Sequence, residues 1–266
     1  MSSPQISVQL YSIHPELDAD LDGSLAKLAA IGLTQVEAFD FVRRADELKA
    51  SFDTHGLVSP TSHAILLQDE GATTPDGLLT VPPMEQTFAA AKTLGVEIVI
   101  DPYVGPSEWQ TREQVAAIAT RLNERAKQAA EHGLRVGYHN HDHELSQTID
   151  GTPVLEVFAD LLDPAVVLEV DLYWAAAGGA DPVALLQRLG NRVAAVHIKD
   201  GPLRPGLSAA NLPDDQTPAG QGDVPLAEVL SSIKGIDHAV IEFDHYEGDT
   251  FDGIAQSYAW LKGQLG

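Results

Sequence analysis

Cysteine is absent from the 266 residues, which excludes disulfides and thiolate ligands, so a bound metal would have to be held by oxygen and nitrogen. Basic residues are scarce: 16 Lys and Arg stand against 39 Asp and Glu, a formal charge of −23. Such a chain repels phosphate backbones and anionic membranes, and no local basic patch offsets that field, so neither nucleic acid nor a membrane surface is an expected partner. The plain reading of the charge is a solvated acidic surface that aids solubility. No apolar stretch approaches the roughly 20 residues of a membrane span. A charged leader with an apolar core is also missing, since Met1-Ser2-Ser3-Pro4 runs straight into Ile6-Ser7-Val8-Gln9-Leu10, and cytoplasmic residence is the default expectation.

What the chain does have is rhythm. Short β-like runs alternate with longer helix-like runs throughout, the pattern of a parallel sheet built from βα units. Eight strand candidates fall at 6–12, 35–40, 58–66, 97–103, 135–141, 166–174, 193–200 and 238–245. The intervening segments carry helical apolar spacing, as in Leu21, Leu25, Leu28 and Val115, Ile118, Leu122. Thr111 with Gln114 resembles a capping box, and Gly32, Gly56, Gly95 and Gly133 each follow a periodic run as C-cap candidates. With no linker between units, residues 1–266 are expected to form one α/β domain, a single (β/α)8 TIM barrel. Two turn-rich stretches, 67–83 and 201–224, follow the third and seventh strands and so fall on the C-terminal face, where barrels keep their binding loops.

Active sites of such barrels draw on residues at the C-terminal strand ends. Those ends carry Gln9, Tyr11, Glu37, His63, Asp101, His139 to His141, Asp171, His197, Lys199 and Glu242. Burying ionisable groups is costly unless they are paired or bind a metal. Asp171, His197 and Glu242 sit at equivalent points on three successive strands, so they are expected to meet at the mouth as ligands of a divalent cation, with Mn²⁺ preferred and Mg²⁺, Co²⁺ or Zn²⁺ as alternatives. The fifth strand crowds His139, His141, His143 and Glu144 into six residues. One of these is expected as a ligand and another as an acid or base, and the residues alone leave the choice open. His143 reads as a solvated loop residue. His63 and Lys199 are candidates for substrate contact, and Tyr11, Trp174 and Tyr103 for apolar walls of the site.

The pattern resembles the xylose isomerase-like TIM barrel superfamily, also described as sugar phosphate isomerases/epimerases. The residues that carry the likeness are Val8-Gln9-Leu10-Tyr11, Gly32-Leu33-Thr34-Gln35-Val36-Glu37, Tyr138-His139-Asn140-His141, Asp171, His197-Ile198-Lys199-Asp200, Gly220-Gln221-Gly222-Asp223 and Glu242. The resemblance implies a divalent cation held by a Glu, an Asp, a His and a second Glu; the last three match Asp171, His197 and Glu242, whereas His139 stands where many epimerases carry the first Glu. The His-Asn-His run is similar to the branch near inosose dehydratases and 3-oxo-sugar enzymes. In that branch Glu144 is expected to replace the missing carboxylate as metal ligand, leaving His139 or His141, with Glu242, for proton transfer. The implied activity is isomerisation or epimerisation of a keto-sugar by proton abstraction beside its carbonyl, with dehydratase or lyase chemistry at the same site as the alternative. Behind these stand a non-catalytic sugar-binding subunit and a metal-dependent nuclease. A small-molecule sugar is the expected partner, with a homodimer or partner subunit compatible with the family. No glycine-rich anion loop with a partnering Arg stands at the eighth unit, which favours a non-phosphorylated sugar.

Overall fold

The computed structural model describes residues 3–71, 80–232 and 235–266. Eight parallel strands, β1 (Gln5–Val8), β2 (Gln35–Ala38), β3 (Val58–His63), β4 (Ile98–Asp101), β5 (Arg135–His139), β6 (Val167–Asp171), β7 (Val193–Ile198) and β8 (His238–Ile241), pair in the order β1-β8-β7-β6-β5-β4-β3-β2. A parallel bridge between Gln9 and Glu37 joins β1 to β2 and brings the sheet round on itself. The expected single (β/α)8 barrel is therefore the observed fold.

The strands are shorter than the sequence pattern predicts, for identifiable reasons. The first ends at Val8 because Leu10–Ile13 tightens into a 3₁₀ turn capped by the Gln9 side chain. The sixth ends at Asp171 because that residue caps the helix Leu172–Ala177, its carboxylate accepting the Trp174 N–H at 2.8 Å. Both sequence-read helix signals recur: Thr111 and Gln114 form a reciprocal capping box on Arg112–Glu131, and Gly32, Gly56 and Gly95 end their helices in the left-handed conformation. An unanticipated two-stranded hairpin, Thr148–Ile149 with Thr152–Pro153, interrupts the fifth βα unit.

Alternation along the strands decides what faces where. Val8, Val36, Val136, Tyr138, Leu168, Val170, Val196 and Ile241 belong to the main apolar core. Ile98, Ile100 and Val167 form, with Ala194, a separate small apolar cluster. A Cβ on Gly137 would stand 3.2 Å from Val167 Cγ2 and 3.3 Å from Ile100 Cγ1, so a side chain there would require these neighbours to give by a few tenths of an ångström. One step further along β5, His139 begins the polar layer. Of the expected loop 67–83, residues 72–79 lie outside the described residues.

Candidate metal and sugar site

Two tiers of polar side chains rise from the strand ends. In the lower tier Gln9 donates to Glu37 Oε1 at 2.7 Å, and that oxygen lies 2.8 Å from His197 Nε2 and 3.1 Å from His63 Nε2. Glu169, two residues before Asp171 on β6, brings its Oε2 to 2.7 Å from His63 Nε2, 3.0 Å from His197 Nε2 and 3.1 Å from His139 Nδ1. The His63 and His197 rings stack with centroids 5.3 Å apart. Glu37 was visible in the sequence only as one polar strand end among several, and Glu169 was missed. The signal for Glu169 was its period-2 spacing from Asp171, which puts both on one face.

The upper tier is His139, Asp171, His197 and Glu242, whose ligand-type atoms all lie within 4.8 Å of one another. His197 Nδ1 lies 2.6 Å from Glu242 Oε2, and His139 Nε2 lies 3.7 Å from Asp171 Oδ2. Lys199 places its ammonium 3.0 Å from Asp171, 2.7 Å from Glu242 and 2.8 Å from Asp244. The structure thus gathers the three residues that the strand pattern singled out, and adds His139 as the fifth-strand member of the set.

Charge explains why this set suits a cation. Glu37, Glu169, Asp171, Glu242 and Asp244 converge on the cationic Lys199 and on His63 and His197, so carboxylates outnumber cations in a buried volume. Burial lifts the Asp171 carboxyl to about 6 in spite of Lys199, and its Oδ2, close to the ammonium but poorly aligned with it, lacks a hydrogen-bond partner. Burial, reinforced by His197, drives the His139 imidazole down to about 3, which leaves it neutral, the form a metal binds. Burial opposes charge on Glu242 as well, yet Lys199 and His197 hold it well below the usual carboxylate range. Two carboxylates and two imidazoles with an unsatisfied buried oxygen fit a Mn²⁺- or Zn²⁺-type ion.

Above this floor opens a cavity of about 400 Å³ whose walls include Tyr11, Phe39, Tyr103, His141, Lys199 and Asp244. Its floor includes His63, His139 and Glu242. Tyr11 meets Phe39 edge to face at 5.1 Å, and Tyr103 meets His141 the same way at 5.2 Å. His141 is neutral, because burial and then His139 and Lys199 push its pKa well below the usual value.

Three residues stand elsewhere than the sequence pattern suggests. Glu144 does not stand with the ligand set: its Oε1 accepts from Tyr138 Oη at 2.6 Å and its Oε2 from the His141 N–H at 2.9 Å. Tyr138 alternates with His139 and points into the main core, and it draws Glu144 away from the mouth. His143 is buried, 2.9 Å from the Val104 carbonyl and 3.2 Å from Glu144, rather than solvated. Trp174 is fully buried on the first turn after Asp171, its ring 6.1 Å from that of His141, so it backs the cavity wall instead of forming it.

The second long loop is fastened to the same rim. Asp200 accepts the N–H groups of Gly201 and Val224 on Oδ1 and of Gly220 and Gly222 on Oδ2, at 2.8–3.1 Å. A Cβ on Gly222 would stand 2.2 Å from that carboxylate, which excludes any other residue. Gln216 in the loop holds the Asp244 carboxylate at 2.9 Å, and the Ala209 N–H donates to Asp142 at 2.7 Å.

This barrel, with acidic and imidazole groups gathered at its C-terminal rim, defines a class. A family profile described as xylose isomerase-like TIM barrel matches residues 25–264, and the chain belongs to that family. A stretch of 91 residues is 31% identical to the inosose dehydratase of Clostridium tetani (strain Massachusetts / E88), covering 34% of this chain and only 30% of that protein. The fold superposes on a sugar phosphate isomerase/epimerase from Parabacteroides distasonis ATCC 8503 with a TM-score of 0.75 at 22% identity, covering 100% of this chain and 95% of the other. It also superposes on the IolI protein with a bound zinc atom, with a TM-score of 0.70 at 17% identity and 98% of each chain covered. At these identities the structural likeness is one of fold. Among the described residues no helix is long and apolar enough to cross a membrane.

Proposed function

We propose that the protein is a divalent-metal-dependent isomerase or epimerase that abstracts a proton beside the carbonyl of a keto-sugar. The observation that carries this reading is the convergence of His139, Asp171, His197 and Glu242 at the floor of a sugar-sized cavity. These four residues would hold the ion, with Mn²⁺ the first choice and Zn²⁺ next, given the bound zinc in the related fold. When bound, a divalent cation polarises a carbonyl and stabilises the negative charge that develops on its oxygen. His141, neutral and on the cavity wall, is the residue assigned to move the proton. Glu242, at once on the floor and beside Lys199, is the second acid-base group. Lys199, held cationic by Asp171, Asp244 and Glu242 against the pull of burial, faces the developing oxyanion. Tyr11, Phe39 and Tyr103 present ring faces and edges to the carbon skeleton. His63, with Nε2 committed to Glu37 and Glu169, offers its remaining edge at the cavity to a hydroxyl.

A second reading, elimination from an inosose or a 3-oxo-glycoside, is favoured by the partial identity to an inosose dehydratase. It uses the same groups and differs only in a hydroxyl or alkoxide leaving the adjacent carbon. Incubation in D₂O with ketoses, inososes and 3-oxo-glycosides, with and without Mn²⁺, tests both. Metal-dependent deuterium incorporation without loss of water supports the isomerase; an unsaturated ketone supports the lyase. A protein that takes up no divalent ion and exchanges no substrate proton would overturn both.

A further inference from the structure

A second cavity, of about 740 Å³, lies beside the one described above. His63, Ala64 and Ile65, at and just past the end of β3, line both, so the two spaces meet along one wall. The segment after β2 serves them in turn: Phe39 lines the inner cavity and Phe41 the outer one. Val81, Pro82 and Pro83, which lead into the helix Met84–Leu94, complete the outer lining.

The two linings differ in chemistry. The inner cavity presents Lys199, Glu242, Asp244 and His141 to hydroxyls and a carbonyl, and at about 400 Å³ it already lies in the range of small-molecule sites, roughly 300–1,000 Å³. A sugar ring needs no second space. The outer cavity offers Phe41, Val42, Ile65, Val81, Pro82 and Pro83, whose side chains carry no polar atom. Its charged groups are already engaged: Arg43 pairs with Asp40 and with Asp18, and Glu70 accepts the Met84 N–H at 3.3 Å. A hydroxyl-rich occupant would leave polar groups unpaired against these walls, at a cost that an apolar occupant avoids.

We propose that the outer cavity is a subsite for an apolar substituent of the substrate, so that the molecule bound is a keto-sugar glycoside, with its sugar ring in the inner cavity and its aromatic or aliphatic aglycone beyond Ile65, against Phe41 and Val42. The keto group rests on the proton-abstraction reading given above; the aglycone subsite rests on the shape and chemistry of the walls. The occupant is joined to the sugar rather than separate from it because the two cavities share three consecutive residues, and a molecule in one reaches the other along that wall. A free ketose would fill the inner space and leave the outer one to water.

The test is calorimetric titration of the full-length protein, without metal so that no turnover intervenes, with methyl and phenyl 3-oxo-β-D-glucopyranoside and with phenol. The phenyl glycoside is expected to bind at least about tenfold more tightly than the methyl glycoside, and more tightly than phenol. Val42→Trp, which fills the outer cavity from a half-buried position, should bring the phenyl-to-methyl ratio close to one. The proposal is overturned by equal affinities in wild type, by binding of neither glycoside, by phenol binding as tightly as its glycoside, or by a ratio that Val42→Trp leaves unmoved. Should Val42→Trp fail to fold, Val42→Ser, which trades apolar wall for a hydroxyl, should lower the ratio several-fold, and an unmoved ratio there overturns the proposal in the same way. Deuterium exchange into free ketoses with Mn²⁺ is measured in parallel. Exchange without a phenyl preference removes the subsite and leaves the proposed function; a phenyl preference without exchange into any sugar removes that function and leaves the subsite.

Discussion

The two halves of the barrel divide the labour unevenly. Strands β5 to β8 deliver all four members of the candidate ligand set, His139, Asp171, His197 and Glu242, together with Lys199. Strands β1 to β4 deliver Gln9, Glu37, His63 and Asp101, which hold those groups or the loops around them. The lesson is that polarity at a strand end does not distinguish a group that binds from one that supports. What distinguishes them is where they stand relative to the candidate ligand set: Glu37 spends Oε1 on Gln9, His197 and His63, whereas Asp171 brings a ligand-type oxygen within 4.8 Å of those of His139, His197 and Glu242.

If that division is right, substitutions in the second half should act on chemistry and those in the first half on affinity or stability. The largest effect is expected from Asp171→Asn: loss of bound metal and a fall of about 10³-fold or more in kcat/KM for proton exchange, corresponding to roughly 4 kcal/mol of barrier. Elemental analysis beside the exchange rate checks it, and an unchanged metal content would break the comparison. Next is Lys199→Met, which leaves three buried carboxylates without their cation. In metal-free protein it is expected to cost about 3–5 kcal/mol, read from the urea midpoint, and added Mn²⁺ should recover part of the loss.

A first-half residue supplies the third prediction. Burial raises the Asp101 carboxyl from 3.8 to about 6 although Leu66, Tyr103 and Leu67 donate to it. The folded state therefore holds this proton more tightly than the unfolded chain. The stability Asp101 contributes is full below the lower value and is lost as pH rises through the upper one, by up to about 3 kcal/mol. Asp101→Asn should flatten that part of a stability-versus-pH curve without altering metal content. The smallest effect is expected for Glu37→Gln, which keeps an acceptor for His197 and should weaken metal binding by about 10-fold at most, with kcat little changed. A collapse of kcat there would place Glu37 among the reacting groups and blur the division.

These assignments also mark where sequence reading succeeds and where it stops. The eight strands, the capping box at Thr111 and the convergence of Asp171, His197 and Glu242 were all legible, because alternation and cap chemistry are local. Glu169 was legible in principle from the same alternation. Glu144 was not, because its direction is set by Tyr138 Oη, a partner on the outward face of β5 that depends on how the helices pack. Trp174 escaped for a similar reason: Asp171 starts a helix at once, and the turn rotates the indole behind His141.

One further consequence lies in the four N–H groups gathered by Asp200. A side chain that grips both ends of the segment between Gly201 and Gly220 works as a rivet, and Asp142 adds a second rivet near its middle through Ala209. Charge-assisted hydrogen bonds of this kind contribute about 1.5–3 kcal/mol each, so peeling the whole strap from the rim would sever several at once. The loop that follows β7 is accordingly expected to stand as a fixed bank of the cavity mouth rather than a swinging one.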